Sequence, residues 1–342
     1  MSISAESAAP EAMRPRAQRA RRRRSRVLHY AEAYALLGLT AVVAVVFSLH
    51  PATRETFPTL INTQAVLANQ AVMAVVALAA LLPLVCNGWD LSVGAVCGLS
   101  SIVMARTMSE GHGVAVALLF GLLVGLAVGS LNALLVTRAR VNAVIATLGV
   151  ATVLAGAVNQ ITGGLTVVSN IPVFVTSLGS GRFLGLPWVA YVMIVVALLV
   201  YYVLEHTPAG RYLYALGSNA TAARLAGLRT RVLLASTFIC AGLLSALGGF
   251  LQVARSAGAD PRIGDSLTLP ALAAAFLSAA AIKPGRYNVW GTIVAIFFLA
   301  TLNSGLNLSG VPPYVNSYVN GAALVVGVGI AGLLGRRRAG LT

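Results

Sequence analysis

One acidic residue, Asp90, lies between two apolar segments of the chain, within residues 87–94 (NGWDLSVG). The second segment is about sixteen residues long, shorter than the ~20 that cross a bilayer core. A short apolar segment beside a glycine-containing break is typical of a discontinuous membrane helix. The Asp90 carboxylate could cap that helix by accepting backbone N–H groups at its positive end. The alternative is a direct contact with a transported solute, and the spacing leaves both roles open.

Uncharged amide side chains recur within the apolar segments. Asn303 and Asn307 are one helical turn apart and share a face, as do Asn316 and Asn320. Amides without a compensating charge suit a neutral solute that is rich in hydroxyl groups. Each amide could instead bond a neighbouring helix, an interaction worth only ~0.6 kcal/mol. Five residues are our candidates for a translocation pathway: Asn69, Gln70, Asp90, Asn303 and Asn307.

Several kinds of chemistry lack the residues that they need. Lys283 is the only lysine and is followed by Pro284, so the chain cannot form a Walker A loop, which requires Gly-Lys-Ser/Thr. Cys86, Cys97 and Cys240 are isolated, which predicts neither a disulfide framework nor a metal site. Acidic residues within apolar segments are too few for a proton or sodium relay. We therefore expect no catalytic residue, metal or cofactor, with ATP bound by a separate subunit that drives transport.

The composition indicates an integral membrane protein. The 342 residues are 58% hydrophobic and 10% charged, with a mean hydropathy of +0.85, whereas soluble domains carry about 25% charge. Ten apolar segments approach the ~20 residues that span a hydrocarbon core. We therefore predict an all-α transmembrane bundle of about ten spans, at 33–49, 62–86, 91–106, 112–136, 142–161, 187–205, 232–253, 267–282, 289–307 and 315–334.

Basic residues predict the orientation of these spans. With the N-terminus in the cytoplasm, 19 Lys and Arg residues fall on the inner side and five on the outer side, in agreement with the positive-inside rule. We expect an Arg-rich cytoplasmic tail at 1–30, a single transmembrane domain at 31–335 and a basic cytoplasmic tail at 336–342. Basic tails beside apolar spans are suited to anionic lipid, which argues against nucleic-acid binding.

A faint internal repeat is present. The fourth and ninth apolar segments each carry a glycine, Gly121 and Gly291, that is followed eleven or twelve residues later by an asparagine, Asn132 and Asn303. An offset of five spans is what two pseudo-symmetric five-helix halves would give. We therefore predict two such halves.

Two loops are long enough to fold. The outer loop, 163–187, mixes Gly, Pro and Ser with β-forming residues, and we expect a small cap. In the inner loop, 206–231, Pro208 and Gly210 interrupt the preceding span, Asn219 can cap a new helix and Gly227 can end it. We predict a short cytoplasmic helix that docks in a partner's groove, the alternative being a surface turn. The predicted coupling residues are Asn219, Ala220, Thr221, Ala222, Ala223, Arg224, Leu225 and Gly227.

Residues 88–94, GWDLSVG, resemble the G-I-D-L-S-V-G signature of permease subunits in ribose-type ABC importers. Segments starting at Val141 (VNAVIATLG), Gly210 (GRYLYALGSNATAARLAGL) and Thr301 (TLNSGLNLSGV) are similar to further blocks of that family in the same order. The resemblance, which runs from about 62 to 332, implies a monosaccharide permease of the bacterial inner membrane. It also implies a permease dimer, an ATP-binding subunit and a periplasmic or lipid-anchored solute-binding protein.

The chain departs from this family at two places. Asn219 is followed by Ala220, Thr221 and Ala222 where the family often has Glu-Ala-Ala, and residues 278–285 (SAAAIKPG) replace a glycine-rich block. These changes predict a specialised ATPase partner and leave the sugar undefined. Other functions compatible with the sequence are a stand-alone secondary transporter or channel, and an ABC permease for nucleosides or branched-chain amino acids. A heterodimer is the alternative to a homodimer.

Overall fold

The computed structural model describes residues 33–338, so the Arg-rich tail predicted at 1–30 and the last four residues lie outside it. The described chain is nearly all helical. Its α-helices are α1 (Ala33–Leu49), α2 (Leu60–Val85), α3 (Val93–Ser109), α4 (Val114–Thr137), α5 (Ala143–Thr162), α6 (Val173–Ser180), α7 (Trp188–His206), α8 (Pro208–Ser218), α9 (Ala220–Leu225), α10 (Thr230–Ser256), α11 (Ile263–Leu277), α12 (Val289–Leu308) and α13 (Tyr314–Arg338), and a 3₁₀ turn (Ser278–Ala280) follows α11.

Seven helices of the described chain are long and apolar enough to cross a membrane: α2, α4, α5, α7, α10, α12 and α11 with its 3₁₀ turn. Three shorter apolar helices are α1, α3 and the apolar part of α13. These ten helices occupy the ten apolar segments of the sequence. The all-α, multi-span class is thereby confirmed, while the count of ten spans stays a prediction.

Helix α2 lies in the centre of the bundle. From Ala71 to Val85 it is apolar on all sides, which is the pattern of a helix that is buried all round. Residues 74–81 have no exposed surface, and α7, α10, α11 and α12 all pack against α2. The bundle is therefore built around a helix whose far end leads directly into the Asp90 segment.

Helices α4 and α10 approach closely through glycines. Gly121, Gly125 and Gly129 form a small-residue ridge on α4, and such a ridge predicts close helix contact. A Cβ atom on Gly125 would lie 2.4 Å from the carbonyl oxygen of Gly242, and one on Gly129 would lie 2.7 Å from that of Phe238. The structure confirms the predicted role of the ridge in packing.

Helix contacts recur with an offset of five apolar helices. The contacts of α3 with α4 and α5 correspond to those of α11 with α12 and α13. Likewise, the contacts of α10 with α3 and α4 correspond to those of α2 with α11 and α12. Both related helices, α3 and α11, are short and follow a helix of 26 or 27 residues. The order and packing of the two sets of helices thus follow one pattern.

The two long loops both fold. The loop at 163–187 contains α6 and a two-stranded antiparallel hairpin, β1 (Arg182–Phe183) and β2 (Leu186–Pro187), which confirms the predicted cap. The loop at 206–231 contains α9 and a helix that was not predicted, α8. Pro208 does interrupt α7, but it also starts α8, because proline suits the first turn of a helix and Thr207 caps it by accepting the Gly210 N–H.

Candidate translocation and coupling sites

The Asp90 side chain is buried just before α3, with 2% of its surface exposed. Its Oδ1 atom accepts the Ser92 backbone N–H at 2.8 Å and the Ser92 hydroxyl at 2.6 Å. The Ser92 hydroxyl accepts from Asn132 Nδ2 at 2.8 Å, and the Leu91 N–H donates to the Thr147 hydroxyl at 3.0 Å. Side chains from α4 and α5 thus fix the turn that precedes α3.

The cap predicted for Asp90 takes a different form in the structure. The carboxylate bonds Ser92, which directly precedes α3, and among the described residues no side chain caps the first turn of α3. Asp90 therefore orders the entry to the helix. Asn132 is 1% exposed, and its Oδ1 has no hydrogen-bond partner within the described part of the chain. Since buried polar atoms are normally paired, this oxygen is available to accept a hydrogen bond.

The turn before α11 repeats the turn before α3. Asp260 Oδ1 accepts the Arg262 backbone N–H at 2.8 Å, so each aspartate bonds the N–H two residues later. Asp90 and Asp260 both lie three residues before the first residue of the short helix that follows. Asp260 is exposed whereas Asp90 is buried. The spans predicted from the sequence begin at 91 and 267, so the common spacing from aspartate to helix emerges only from the helix starts at Val93 and Ile263.

Asn69 and Gln70 lie in the half of α2 that is remote from Asp90. Asn69 is exposed, and its Oδ1 accepts from Arg255 Nε at 3.0 Å. The same half of α2 borders a cleft of about 230 Å³ against α6, the hairpin and the end of α10. Gln64 lines this cleft and donates to the Gly185 carbonyl at 2.7 Å. The candidate amides of α2 are therefore separated from the Asp90 turn.

Asn303 and Asn307 face two amides of α13. Asn303 Nδ2 donates to Asn320 Oδ1 at 3.3 Å, and Asn307 Oδ1 accepts from Asn316 Nδ2 at 2.7 Å. The face of α12 that carries Asn303 and Asn307 thus lies against the face of α13 that carries Asn316 and Asn320, and hydrogen bonds between these amides join the two helices. Asn303 Oδ1 is buried without a partner in the described region. Interhelical packing, the alternative to a solute contact, accounts for both amide pairs. The Asn303 Oδ1 atom remains available to accept a hydrogen bond from a hydroxyl group.

The predicted helix of the inner loop is present as α9 and is capped at both ends. Asn219 Oδ1 accepts the Ala222 N–H at 2.9 Å, which confirms the predicted N-cap. At the other end Gly227 has φ +83°, and its N–H bonds the Arg224 carbonyl while the Leu228 N–H bonds the Ala223 carbonyl. This is a Schellman ending, which favours glycine. The predicted helix is thus present and six residues long, while its docking to a partner stays a prediction.

The residues of α9 differ in exposure. Ala223 is 5% exposed and packs against the protein itself, whereas Leu225 is 85% exposed. The remaining predicted coupling residues are also exposed: Asn219, Ala220, Thr221, Ala222, Arg224 and Gly227. The face available to a partner is therefore formed by Leu225 and the small residues, and Ala223 is not part of it.

Helix α8 connects α9 to the Asp90 segment. Gly217 packs so closely on the end of α2 that a Cβ atom there would lie 2.0 Å from the Val85 carbonyl oxygen. Asn87 Nδ2 donates to the Gly217 carbonyl at 2.5 Å. Asn87 and Asp90 belong to the same connection between α2 and α3, so the inner loop is bonded to the segment that Asp90 orders.

Comparisons with known proteins agree with this architecture. Residues 62–328 match the family described as "Branched-chain amino acid transport system / permease component". The chain is 34% identical over 301 residues to the ribose import permease protein RbsC of Escherichia coli (strain K12), covering 87% of this chain and 92% of that protein. The chain belongs to the permease family of ribose-type ABC importers.

The relatives of the permease include both ribose import permeases and autoinducer 2 import permeases. The RbsC protein of Bacillus subtilis (strain 168) is 33% identical over 298 residues, covering 85% of this chain and 90% of that protein. The autoinducer 2 import system permease protein LsrC of Enterobacter sp. (strain 638) is 30% identical over 319 residues, covering 92% and 90%. No solved structure matches the chain. The permease is a multi-pass protein of the inner membrane, and its family works with ATP-binding and solute-binding proteins.

Proposed function

We propose that the permease imports a small polyhydroxylated solute, a monosaccharide, and is driven by ATP hydrolysis in a separate subunit. The observation that carries the proposal is α9, an ordered helix with an exposed face, bonded through α8 to the break between α2 and α3. A permease that receives force from a separate ATPase needs such a contact. The named functions of the relatives support a sugar-type cargo.

The proposal includes ten spans with both termini in the cytoplasm and two inverted five-helix halves. The excess of Lys and Arg on one side supports this orientation, and the recurring contacts of α3 and α11 support the halves. We infer that the permease works as a homodimer, with a pseudo-symmetric heterodimer as the alternative. It receives solute from a periplasmic or lipid-anchored solute-binding protein.

The amide-bearing helices supply the candidate pathway. Asn132 and Asn303 each have a buried side-chain oxygen that bonds no described atom, and they lie on α4 and α12, whose helix contacts correspond between the halves. Hydroxyl groups of a sugar can donate to such oxygens. In this proposal the chain itself contributes no catalytic residue, metal or cofactor, because ATP binds to the partner.

Reconstitution tests this proposal. Proteoliposomes that contain the permease with its ATP-binding subunit and solute-binding protein should take up radiolabelled ribose or a related pentose or hexose when ATP is supplied. The permease alone should hydrolyse no ATP. Accumulation by the permease alone, driven only by a proton or sodium gradient, would assign it to the secondary transporters.

A further inference from the structure

A partly buried charge cluster joins α7 to the loop between α11 and α12, with the Lys283 and Arg286 side chains 40% and 35% exposed. Glu205 lies near the end of α7, and its carboxylate is 2.7 Å from Lys283 Nζ and 3.7 Å from Arg286 Nη2. The Glu205 side chain is only 14% exposed. Ion pairs shielded from water are screened less by salt than surface pairs, and removing one partner leaves the other charge uncompensated. This contact therefore holds the loop against α7.

Arg286 also joins α8 to the same loop. Its guanidinium carbon lies 3.4 Å from the centroid of the Tyr214 ring, which is a cation–π contact. The Tyr214 hydroxyl donates to the Tyr287 carbonyl at 2.9 Å. Burial raises the pKa of Tyr214 to about 12, so the phenol keeps the proton that this hydrogen bond needs at neutral pH.

The loop that carries Arg286 is itself rigidly built onto α12. Asn288 Nδ2 lies 2.9 to 3.0 Å from three carbonyl oxygens, those of Ser278, Ala281 and Arg286, and its two N–H groups are shared among them. Asn288 Oδ1 accepts the Gly291 N–H at 2.7 Å and caps α12. Because these hydrogen bonds join the loop to the start of α12, a displacement of Arg286 would also move the first turn of α12.

Helix α8 is thus held by two contacts. One is with the connection between α2 and α3, in the first set of five apolar helices, and the other is with the connection between α11 and α12, in the second set. Gly217 is bonded to Asn87 in the connection between α2 and α3. Tyr214, one turn earlier, is held by Arg286 in the connection between α11 and α12. Asn219, which caps α9, directly follows the last residue of α8. A movement of α9 reaches both connections only if both contacts hold.

We propose that Glu205, Tyr214 and Arg286 are positioning residues that lock α8 to the α11–α12 loop, so that a displacement of α9 is transmitted to both halves of the permease together. This inference rests on the proposed function, because it requires an ATPase that moves α9. Coupling between distant sites is carried by rigid elements and ion-pair networks of this kind. Without the lock, a movement of α9 would lose its direct path through α8 to the α11–α12 loop, while the contacts of α8 with α2 and of α8 and α9 with α10 would remain.

The test compares Tyr214→Leu and Arg286→Gln with Tyr212→Leu as a matched control. Tyr212 lies on the same helix and is 44% exposed. The complex of permease, ATP-binding subunit and solute-binding protein is reconstituted, and ATP hydrolysis and ribose uptake are measured together. We expect the ATP hydrolysed per ribose transported to rise about tenfold in the two variants, which is within the usual range of coupling energies, and to stay unchanged in Tyr212→Leu.

A double-mutant cycle separates transmission from simple destabilisation. If Glu205 and Arg286 act through one lock, combining Glu205→Gln with Arg286→Gln should raise the ATP cost of transport no further than the larger single effect. Should these variants fail to insert, Tyr214→Phe and Arg286→Lys carry the test, since each keeps part of the contact; we then expect a rise of about twofold to threefold.

Three results would contradict the proposals, and they differ in which proposal fails. If the wild-type complex shows no ATP-driven uptake of any sugar, the proposed function fails. If the wild-type complex couples normally and Tyr214→Leu and Arg286→Gln keep the wild-type ratio of ATP to solute at normal membrane levels, the lock does not exist and the inference is overturned. A fall in uptake matched by an equal fall in ATP hydrolysis would also overturn it, because coupling would then be intact.

Discussion

Gly94 and Gly264 lie against each other where α3 crosses α11, and each is the second residue of its helix. A Cβ atom on Gly94 would lie 2.4 Å from the Gly264 carbonyl oxygen, and one on Gly264 would lie 2.9 Å from that of Gly94. The starts of the two short helices therefore meet at one point. The two aspartate turns, at Asp90 and Asp260, precede this crossing.

This crossing makes Gly94 sensitive to a single methyl group. Gly94→Ala should lower the midpoint of thermal unfolding in detergent, because the added carbon meets backbone atoms that cannot move aside; overpacking of this kind costs about 1–3 kcal/mol. Gly149→Ala is the matched control, since a Cβ atom on this helical glycine meets no described atom within 4 Å. Equal stability of the two variants would show that α3 and α11 do not approach as described.

Substitutions of Asp90 separate the role of its shape from that of its charge. Asn keeps an oxygen that can accept the Ser92 N–H, whereas Leu leaves this buried N–H unpaired at a cost of about 1–3 kcal/mol. We expect Asp90→Asn to keep most uptake and Asp90→Leu to lose both membrane level and uptake. An Asp90→Asn variant that is present at normal level but inactive would instead assign Asp90 a role that depends on its charge.

Variants of α12 distinguish a pathway from helix packing. Replacing Asn303 and Asn307 together by Leu should abolish uptake while the amount of folded permease in the membrane stays within about twofold, because each lost interhelical amide bond is worth only ~0.6 kcal/mol. Uptake assays and quantitative membrane blots measure the two effects. Loss of the protein from the membrane would mean that the bonds to Asn316 and Asn320 are the main role of these residues.

The exposed face of α9 is testable by crosslinking. Cys240 is exposed and is first replaced by Ser, while Cys86 and Cys97 are buried. Leu225→Cys should then crosslink to the ATP-binding subunit and respond to nucleotide, and Leu225→Asp should release that subunit without loss of the permease. Ala223→Cys serves as the control, since Ala223 is buried and should not react. Crosslinks from Leu225 only to the solute-binding protein would mean that the orientation is inverted.

Much of this architecture could be predicted from the sequence because its signals are local. Apolar runs identified the positions of the ten apolar helices, and Asn219 and Gly227 marked the ends of α9 through their own backbone preferences. Helix α8 is not predicted, because Pro208 is interpreted only as the end of α7. The ending was correct, but the pair Thr207 and Pro208 is also a helix start.

Contacts between distant residues could not be predicted in the same way. The glycine crossing of α3 with α11 and the binding of Arg286 to Glu205 and Tyr214 depend on helix placement, which a single sequence does not encode locally. From the sequence alone, the amides of α12 and α13 are compatible with a solute contact and with packing between helices. Only the placement of the two helices showed which side chains face each other.

Simultaneous measurement of ATP hydrolysis and sugar uptake in proteoliposomes tests the central claim most directly. With the ATP-binding subunit and the solute-binding protein present, the permease should accumulate ribose or a related sugar only when ATP is supplied, and Leu225→Asp should abolish this uptake. ATP-independent accumulation by the permease alone, unaffected by Leu225→Asp, would contradict an importer driven through α9.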